Sequence, residues 1–146
     1  MSTVAFTPPL IFTLHVIGYD IWFYISHLLL HTRLGWRFHR HHHAIVHPRF
    51  TDTYTGHPFE GPFQSLGFLL PLAFYSLDYP AAIAALLFVN ARGLARHDDR
   101  TIWLIGNHHL LHHEDPRTNF GEYWLDRLCG TGTRDPTKIR RGLIYA

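Results

Sequence analysis

Apolar residues are concentrated in three stretches of the chain, and polar segments separate them. Residues 10–30 form the first stretch, which has about the twenty residues that one membrane crossing needs. Residues 63–77 and 81–95 form the other two, and Asp-Tyr-Pro at 78–80 between them is a turn signal. Each of these two is short for a crossing. The pattern predicts one spanning helix, followed by either a shallow apolar hairpin or one broken helix over residues 63–95.

Polar residues inside the first stretch distinguish it from a plain lipid anchor. His15, Asp20 and His27 lie within it, and ionisable groups at such depth are costly and by default mark a functional site. Near the other end of the chain, apolar side chains between residues 120 and 128 recur at helical spacing. This spacing predicts a short amphipathic helix that ends at Gly130.

Composition narrows the class of protein further. Fourteen of the 146 residues are histidine and only 16% are charged, against a usual charged share of about 25%. The net charge of +2 and the lack of a compact Lys/Arg tract argue against a nucleic-acid partner. The single cysteine, Cys129, excludes an intrachain disulfide framework and a cysteine-based zinc finger. Because residues 1–10 lack the positive region of a signal peptide, we expect membrane insertion to use the apolar stretches.

The histidines fall into spaced groups. His27 and His31 form an HxxxH pair, and a spacing of four places both side chains on one helix face. Two HxxHH groups follow, and one more histidine stands before the second. These later residues are His39, His42 and His43, then His97, then His109, His112 and His113. So many spaced groups in a short chain predict that nine imidazoles enclose two metal ions.

The predicted site has a chemical rationale and a set of accessory candidates. Neutral imidazole suits iron, zinc, copper and nickel, and a site that activates O₂ needs a redox-active metal with an open coordination position. Additional candidates for the metal shell, or for contacts to it, are His57, Asn90, His108 and Glu114. Further candidates to accept hydrogen bonds from ligand imidazoles are Asp20, Asp52, Glu60, Asn107 and Asp115.

Topology favours the hairpin over the single broken helix. The two histidine-rich regions must lie on the same membrane side to share one site, so residues 63–95 must cross twice or only dip in. Arginines flank both regions, whereas no Lys or Arg precedes the first helix. The positive-inside rule then places the histidines on the cytoplasmic side. The predicted fold class is all-α: an integral membrane helical bundle with a cytoplasmic histidine-rich helical metal-binding cap.

Four segments together resemble the fatty acid hydroxylase / sterol desaturase superfamily over residues 19–131. They are DIWFYISHLLLH, FHRHHH, HPFEG and GNHHLLHHEDPRTNFGEYWLDRLCGT. The resemblance implies an integral membrane enzyme of the endoplasmic reticulum or the bacterial inner membrane. Such an enzyme hydroxylates or desaturates a lipid, such as a fatty acyl chain, a sterol or a carotenoid. The resemblance also implies a non-haem centre of two iron ions, for which zinc can substitute, with O₂ as co-substrate.

The resemblance also implies ligands and partners, with two departures. The HxxxH and HxxHH histidines carry over as ligands, but the family's second HxxxH is represented only by His97, with Asn90 or Asp98 nearby. The family's upstream transmembrane hairpin has no counterpart here. Residues 1–146 are therefore expected to be one minimal domain, a fragment, or a chain that forms homo-oligomers to cover its lipid face. Electrons are expected from a separate donor protein, because no haem-binding domain is fused.

Other classes of protein stay open on the residues alone. A non-catalytic membrane metal carrier or sensor would bind metal without O₂ chemistry, and a histidine tract can also serve as a metal buffer. A zinc-dependent membrane hydrolase would need one metal and a general base, although the chain has no HExxH. Ligation of haem by two histidines would leave the other histidines unexplained.

Overall fold

The computed structural model of the protein describes residues 6–75 and 77–144. Within these ranges the chain is helical and has no β-strand, which confirms the all-α part of the predicted fold class. The α-helices are α1 (Pro8–Leu30), α2 (Trp36–His39), α3 (Glu60–Ser65), α4 (Tyr79–Arg96), α5 (Ile102–Ile105), α6 (His108–Glu114) and α7 (Tyr123–Cys129). Short 3₁₀ helices lie at Phe50–Asp52, Leu66–Ala73, Asp99–Thr101 and Pro136–Lys138.

Helix α1 is the predicted first apolar helix. It begins with two prolines, whose missing N–H groups cost nothing in the first turn of a helix. Its 23 residues extend about 35 Å at the usual helical rise. Among the described residues it is the helix that is long and apolar enough to cross a membrane, by length and composition. Ile17, Ile21 and Ile25 are exposed along one side, and the opposite side packs against the rest of the chain.

Residues 60–96 form an apolar hairpin along α1. In the first arm, Trp22 Nε1 donates to Phe63 O at 2.7 Å, and His15 Nδ1 lies 2.7 Å from Phe68 O. This arm, made of α3 and the 3₁₀ helix Leu66–Ala73, therefore runs antiparallel to α1. Helix α4 then runs parallel to α1 and returns the chain to the histidine end. The hairpin, rather than a single broken helix, is the observed arrangement of the described residues, and Ser76 lies outside them.

Two glycines allow the first arm to approach α1 closely. A Cβ added to Gly67 would lie 2.2 Å from Trp22 Cβ, and one added to Gly18 would lie 2.9 Å from Gly67 O. His15, beside this contact, is fully buried, with Nε2 2.6 Å from the Tyr75 hydroxyl. This histidine is therefore a core residue that joins the hairpin to α1.

Buried ion pairs join α1, α4 and the segment before α7. Arg92 binds Asp20, Arg96 binds Glu122, and Arg92 Nε also lies 3.3 Å from Glu122 Oε1. Removing one partner of such a pair leaves a buried charge without compensation, which is strongly destabilising. Asp20, predicted as an acceptor for a ligand imidazole, is paired with Arg92 instead.

The predicted amphipathic helix is α7, and it ends where the sequence indicated. Gly130 follows it with φ of 69°, the left-handed conformation that glycine adopts without steric cost. Leu125 is buried and packs with Tyr24 of α1 and with Phe120. This contact fixes the C-terminal block of the chain against the histidine end of α1.

Candidate metal centre

The structure brings all nine predicted histidines together in two adjoining groups. Each group could hold a metal ion, because its ligand nitrogen atoms all lie within 4.8 Å of one another. The five-histidine group consists of His27, His31, His39, His43 and His112. The four-histidine group consists of His42, His97, His109 and His113. Every member is buried except His31, which is partly exposed.

The first two histidine motifs lie at the end of α1 and in the turns after α2. His27 and His31 are one helical turn apart, as their spacing predicts. Helix α2 ends at His39, and His42 and His43 follow in hydrogen-bonded turns rather than in a longer helix. The N–H groups of both point to His39 O, at 3.0 and 3.3 Å. The three rings therefore stay on one side without a full helix.

The remaining histidines come from α4 and α6. His97 follows the last residue of α4, and its Nδ1 donates to Gly93 O at 2.8 Å. The second HxxHH group, from His109 to His113, lies on α6, where it is helical. His97 has no HxxxH partner in the sequence, yet its Nε2 lies 3.0 Å from His109 Nε2 and completes the four-histidine group.

Hydrogen bonds at Nδ1 orient most of these rings. The acceptors are five main-chain carbonyl oxygens and one carboxylate. The pairs are His27 with Phe120 O, His39 with Glu60 Oε1, His42 with Thr55 O, His97 with Gly93 O, His112 with Thr118 O, and His113 with Ile45 O, at 2.5–3.0 Å. A carbonyl oxygen only accepts, so the proton of a neutral ring lies on Nδ1. Nε2 then presents its lone pair to the centre.

The Nε2 atoms face one another at short range. His42 Nε2 lies 3.2 Å from His97 Nε2, and both rings carry their proton on Nδ1. Two lone pairs at this distance repel each other, and a cation between them would relieve the repulsion. Ligands about 2.1 Å from a metal and at right angles to each other are about 3.0 Å apart. The observed spacing therefore fits two nitrogen ligands of one metal ion.

A buried nitrogen atom of His113 without a hydrogen-bond partner in the described part of the chain supports the same fit. His113 Nε2 has no hydrogen-bond partner among the described residues, while its Nδ1 donates to Ile45 O at 3.0 Å. An unpartnered buried polar atom is costly and calls for an explanation. A metal ion ligated by the four-histidine group would provide one, and an all-imidazole donor set suits iron, zinc, copper or nickel.

Burial keeps these rings in the neutral form that ligates metal. Burial, together with the neighbouring His42, lowers the pKa of His113 from 6.5 to about 3. Burial, with His112 and His113 nearby, also lowers the pKa of His43. Metal binding requires deprotonated ligands, so a ring that is already neutral at pH 7 releases no proton. Burial also raises the pKa of Glu60 from 4.5 to about 8 in the metal-free protein, and a cation ligated by His39 would lower this pKa and favour the carboxylate that accepts from His39 Nδ1.

Glu60 is the predicted acceptor that contacts a histidine of the centre. It is buried at the start of α3, within the HPFEG segment, and it fixes the ring of His39. The other candidates bind elsewhere: Asp52 accepts from Arg49 N, Asn107 donates to Lys138 O, and Asp115 accepts from Arg117. Glu60 was therefore among the acceptor candidates from the sequence, but the fold was needed to single it out from the others.

A cavity of about 400 Å³ opens onto both groups. His27 and His39 of the five-histidine group line it, as do His42, His97 and His109 of the four-histidine group. Tyr19, Phe23, Phe68, Leu86 and Val89 contribute apolar or aromatic surface to the same cavity. On one side, the Tyr54 hydroxyl donates to Asn90 Oδ1 at 2.7 Å. A partly apolar ligand in this cavity would touch both groups.

The four accessory candidates lie outside both groups. His57 and Asn90 are exposed and line the cavity, where Phe59 N donates to His57 Nδ1 at 3.2 Å. His108 points away from the centre and hydrogen-bonds Asp126 at 3.0 Å. Glu114 is exposed and borders a separate groove, which Val46 and Lys138 also line.

Comparison with known proteins gives one family for this histidine arrangement. The family model described as fatty acid hydroxylase matches residues 12–131, which include both groups. The chain belongs to the fatty acid hydroxylase family. This result confirms the resemblance seen in the sequence, including its link to sterol desaturases.

One curated relative illustrates that link. The Delta(7)-sterol 5(6)-desaturase ERG3A of Gibberella zeae is 30% identical over 130 residues. The match covers 82% of this chain but 37% of the relative's length. No solved structure gives a significant match.

Proposed function

We propose that this fatty acid hydroxylase family member oxidises a lipid with O₂, by hydroxylation or desaturation, at two histidine-ligated iron ions. One observation carries the proposal: two adjoining all-histidine groups open onto the same partly apolar cavity. A carrier or sensor needs no cavity of this kind. A hydrolase would need a general base beside a single metal.

The five-histidine group would hold one ion and the four-histidine group the other. Bound iron supplies the redox chemistry that activates O₂ for attack on an unactivated C–H bond. One oxygen atom of O₂ enters the lipid as a hydroxyl group, or takes two hydrogens from the lipid and leaves as water. Two electrons from the donor and two protons reduce the other oxygen atom to water. A separate electron-donor protein supplies those electrons.

The residues of the chain supply position and shielding. Carbonyl oxygens and Glu60 hold the protons on Nδ1, so that the Nε2 lone pairs point inward. Such partners fix ring orientation and raise the basicity of the ligand. The aromatic side chains of Phe23 and Phe68 border the cavity beside the histidines, where they would position an acyl or sterol skeleton and exclude water.

The membrane arrangement extends the same proposal. Helix α1 crosses the bilayer, and the hairpin of residues 60–96 dips in beside it. Arg33, Arg37 and Arg40 follow α1 at the histidine end, which supports a cytoplasmic position for that end. Residues 1–146 then lie within one domain in the endoplasmic reticulum or the bacterial inner membrane, with self-association as one way to cover the lipid face.

A combined metal and activity measurement tests the proposal. The protein is expressed in membranes under iron-replete conditions, its metals are counted, and extracted lipids are examined by mass spectrometry with O₂ and a reductant. We expect two irons per chain and a lipid that gains one oxygen or loses two hydrogens. His42→Ala and His112→Ala each remove a ligand, so both should abolish the oxidation.

His41→Ala is the matched control, because His41 is exposed and belongs to neither group. It should keep both the metal and the activity. Bound metal with unchanged lipids across a broad extract would favour the carrier or sensor instead. Hydrolysis with one zinc and no reductant would favour the hydrolase.

A further inference from the structure

Residues 118–121 form a loop, here called the carbonyl loop, that contacts two members of the five-histidine group. Phe120 O lies 2.5 Å from His27 Nδ1, and Thr118 O lies 2.6 Å from His112 Nδ1. The two histidines belong to different helices, α1 and α6. One short loop therefore sets the ring orientation of ligands that are 85 residues apart in sequence (112 − 27).

The loop has an unusual backbone that its own asparagine sustains. Asn119 has φ of 58°, a left-handed conformation that asparagine tolerates better than most residues. Its side chain is fully buried. Asn119 Nδ2 donates to His108 O at 3.1 Å, and Thr133 N donates to Asn119 Oδ1 at 2.8 Å. The reversal at Asn119 places the two carbonyl groups on either side of it, facing the centre.

Asp126 holds the other half of the loop. It lies on α7 and is fully buried. Phe120 N donates to Oδ1 at 2.9 Å and Gly121 N donates to Oδ2 at 2.7 Å. Thr131 Oγ1 donates to Oδ1 at 2.6 Å, and His108 Nε2 donates to Oδ2 at 3.0 Å. A carboxylate can only accept hydrogen bonds, and here each oxygen accepts two.

We infer that Asp126 and Asn119 are positioning residues for the metal in the five-histidine group, acting through the carbonyl loop. The inference rests on the proposed function in assuming that this group binds metal. Neither side chain contacts a member of the group directly. Both act on the backbone that carries Thr118 O and Phe120 O, so they determine which way His27 and His112 present Nε2.

The inference also assigns a role to His108, which belongs to neither group. Its ring donates to Asp126 and its carbonyl oxygen accepts from Asn119. The first histidine of HHLLHH therefore connects α6 to both positioning residues. Gly121 completes the arrangement, because a Cβ there would lie 2.8 Å from the Tyr24 ring.

The contacts predict a selective effect on metal binding. Within the described residues, the hydrogen bonds of the carbonyl loop to ligand histidines reach the five-histidine group alone. Three of the four rings in the four-histidine group are oriented by Thr55, Gly93 and Ile45 instead. A general loss of folding would lower the affinity for both metal ions, whereas loss of positioning would lower the affinity for one.

Asp126→Asn is the variant that tests this. It keeps the shape of the side chain but replaces one acceptor oxygen with an NH₂ group, which then faces two donors. The full chain is purified in detergent, stripped of metal and titrated anaerobically with Fe²⁺ against a chelator, with metals counted after dialysis. We expect the affinity of one of two sites to fall about 10- to 100-fold, as is typical when a partner of a ligand is lost.

Two further variants separate positioning from folding. Asp135→Asn is the matched control: Asp135 is exposed, and it accepts from Thr137 as Asp126 accepts from Thr131. Both metal sites of the Asp135→Asn variant should bind Fe²⁺ with wild-type affinity. Asn119→Gly tolerates the left-handed backbone but lacks the amide contacts, so it should weaken the same single site as Asp126→Asn.

The outcomes distinguish this inference from the proposed function. Asp126→Asn with two sites of wild-type affinity would overturn the inference, and so would equal weakening of both sites. Wild-type protein that binds two metals but oxidises no lipid would overturn the proposed function and leave the inference standing. Wild-type protein that binds no metal would overturn both.

Discussion

The two histidine groups are built in different ways, although they adjoin. In the five-histidine group, the rings of His27 and His39 are oriented by Phe120 and Glu60, which lie 93 and 21 residues away in sequence. In the four-histidine group, His97 is oriented by Gly93 on its own helix, and His42 by Thr55, 13 residues away. Each group also has an exception, because Thr118 orients His112 from 6 residues away in the five-histidine group and Ile45 orients His113 from 68 residues away in the four-histidine group. Distant partners therefore predominate in the five-histidine group and nearby backbone in the four-histidine group.

The groups also differ in the number of ligands available. Five nitrogens leave one to spare when a metal needs four protein ligands, whereas four leave none. We therefore expect the five-histidine group to retain a bound metal ion after loss of one ligand, although not the oxidation activity, and to respond to changes in distant segments. The four-histidine group should lose its metal ion when one ligand is lost, and it should respond less to changes in distant segments. Acid should act on both groups alike, whereas single substitutions should reveal the difference between them.

Acid should have the largest effect, because it acts on both groups together. Burial lowers the pKa of His31 from 6.5 to about 4 and that of His113 to about 3. A group with a lowered folded pKa destabilises the fold as the pH falls from its unfolded value towards its folded value. Protonation of His113 in the unfolded state should by itself cost the metal-free protein roughly 2 kcal/mol of unfolding free energy between pH 6.5 and about pH 5.

Denaturant titration of the metal-free protein across this pH range measures the effect. Bound metal should move the loss to lower pH, because protons must then compete with the metal. A flat stability profile between pH 7 and pH 5 would contradict the neutral state of the rings.

Removing one ligand from each group should have the next largest effect and should separate the groups. His97→Ala leaves three ligands, so the four-histidine group should lose its metal almost completely. The loss should exceed the about 10- to 100-fold loss typical of a ligand's hydrogen-bond partner. His31→Ala leaves four ligands and removes the partly exposed one, so its effect should be smaller. Metal counts after dialysis measure both losses. Equal metal loss in the two variants would contradict the expected difference between the groups.

Removing the carboxylate should have a smaller effect, confined to the five-histidine group. Glu60→Ala deletes the acceptor for His39 Nδ1, so the ring turns more freely and the affinity of that group should fall about tenfold. Glu60→Gln keeps an acceptor oxygen of the same reach and should restore most of the affinity. An Fe²⁺ titration resolves the two sites. Weakening of the four-histidine group by Glu60→Ala would show that Glu60 supports the whole fold instead.

The smallest effect is expected at the edge of the cavity. Tyr54 precedes Thr55, whose carbonyl oxygen orients His42, and the Tyr54 hydroxyl joins this segment to Asn90 of α4. Tyr54→Phe removes one exposed hydrogen bond, so the four-histidine group should lose affinity by about twofold to threefold. Tyr79→Phe, at another exposed tyrosine, should change neither site. A larger loss of affinity in the five-histidine group would contradict the view that the Tyr54–Thr55 segment acts through His42.

Local patterns predicted most of the helical elements. The long apolar stretch became α1, the hairpin packs along it, and Gly130 ends α7. These features depend on spacing and on the conformational preferences of individual residues, which act over a few positions. The first HxxHH group was less predictable, because α2 ends at His39 and the following turns depend on contacts with distant segments.

Residue type and spacing selected the candidate ligands but not their partition. Histidines spaced three or four residues apart share a helix face whatever the fold, so eight of the nine residues stood out by spacing, and His97 was included for its place before the last group. Their division was a matter of packing: His42 and His43 are adjacent in sequence yet belong to different groups. The place of His97 likewise depended on where α4 ends relative to α6.

The sequence by itself determined the imidazole ligand type of the centre, most of the helices that carry these ligands and the family to which the chain belongs, because these depend on residue identity at short spacing. Only the tertiary structure decided which atoms orient the ligands. Phe120 O and Thr118 O are main-chain groups, and every residue has a carbonyl oxygen, so no pattern marks them in advance. Their roles emerge when Asn119 and Asp126 fold the loop against α1 and α6.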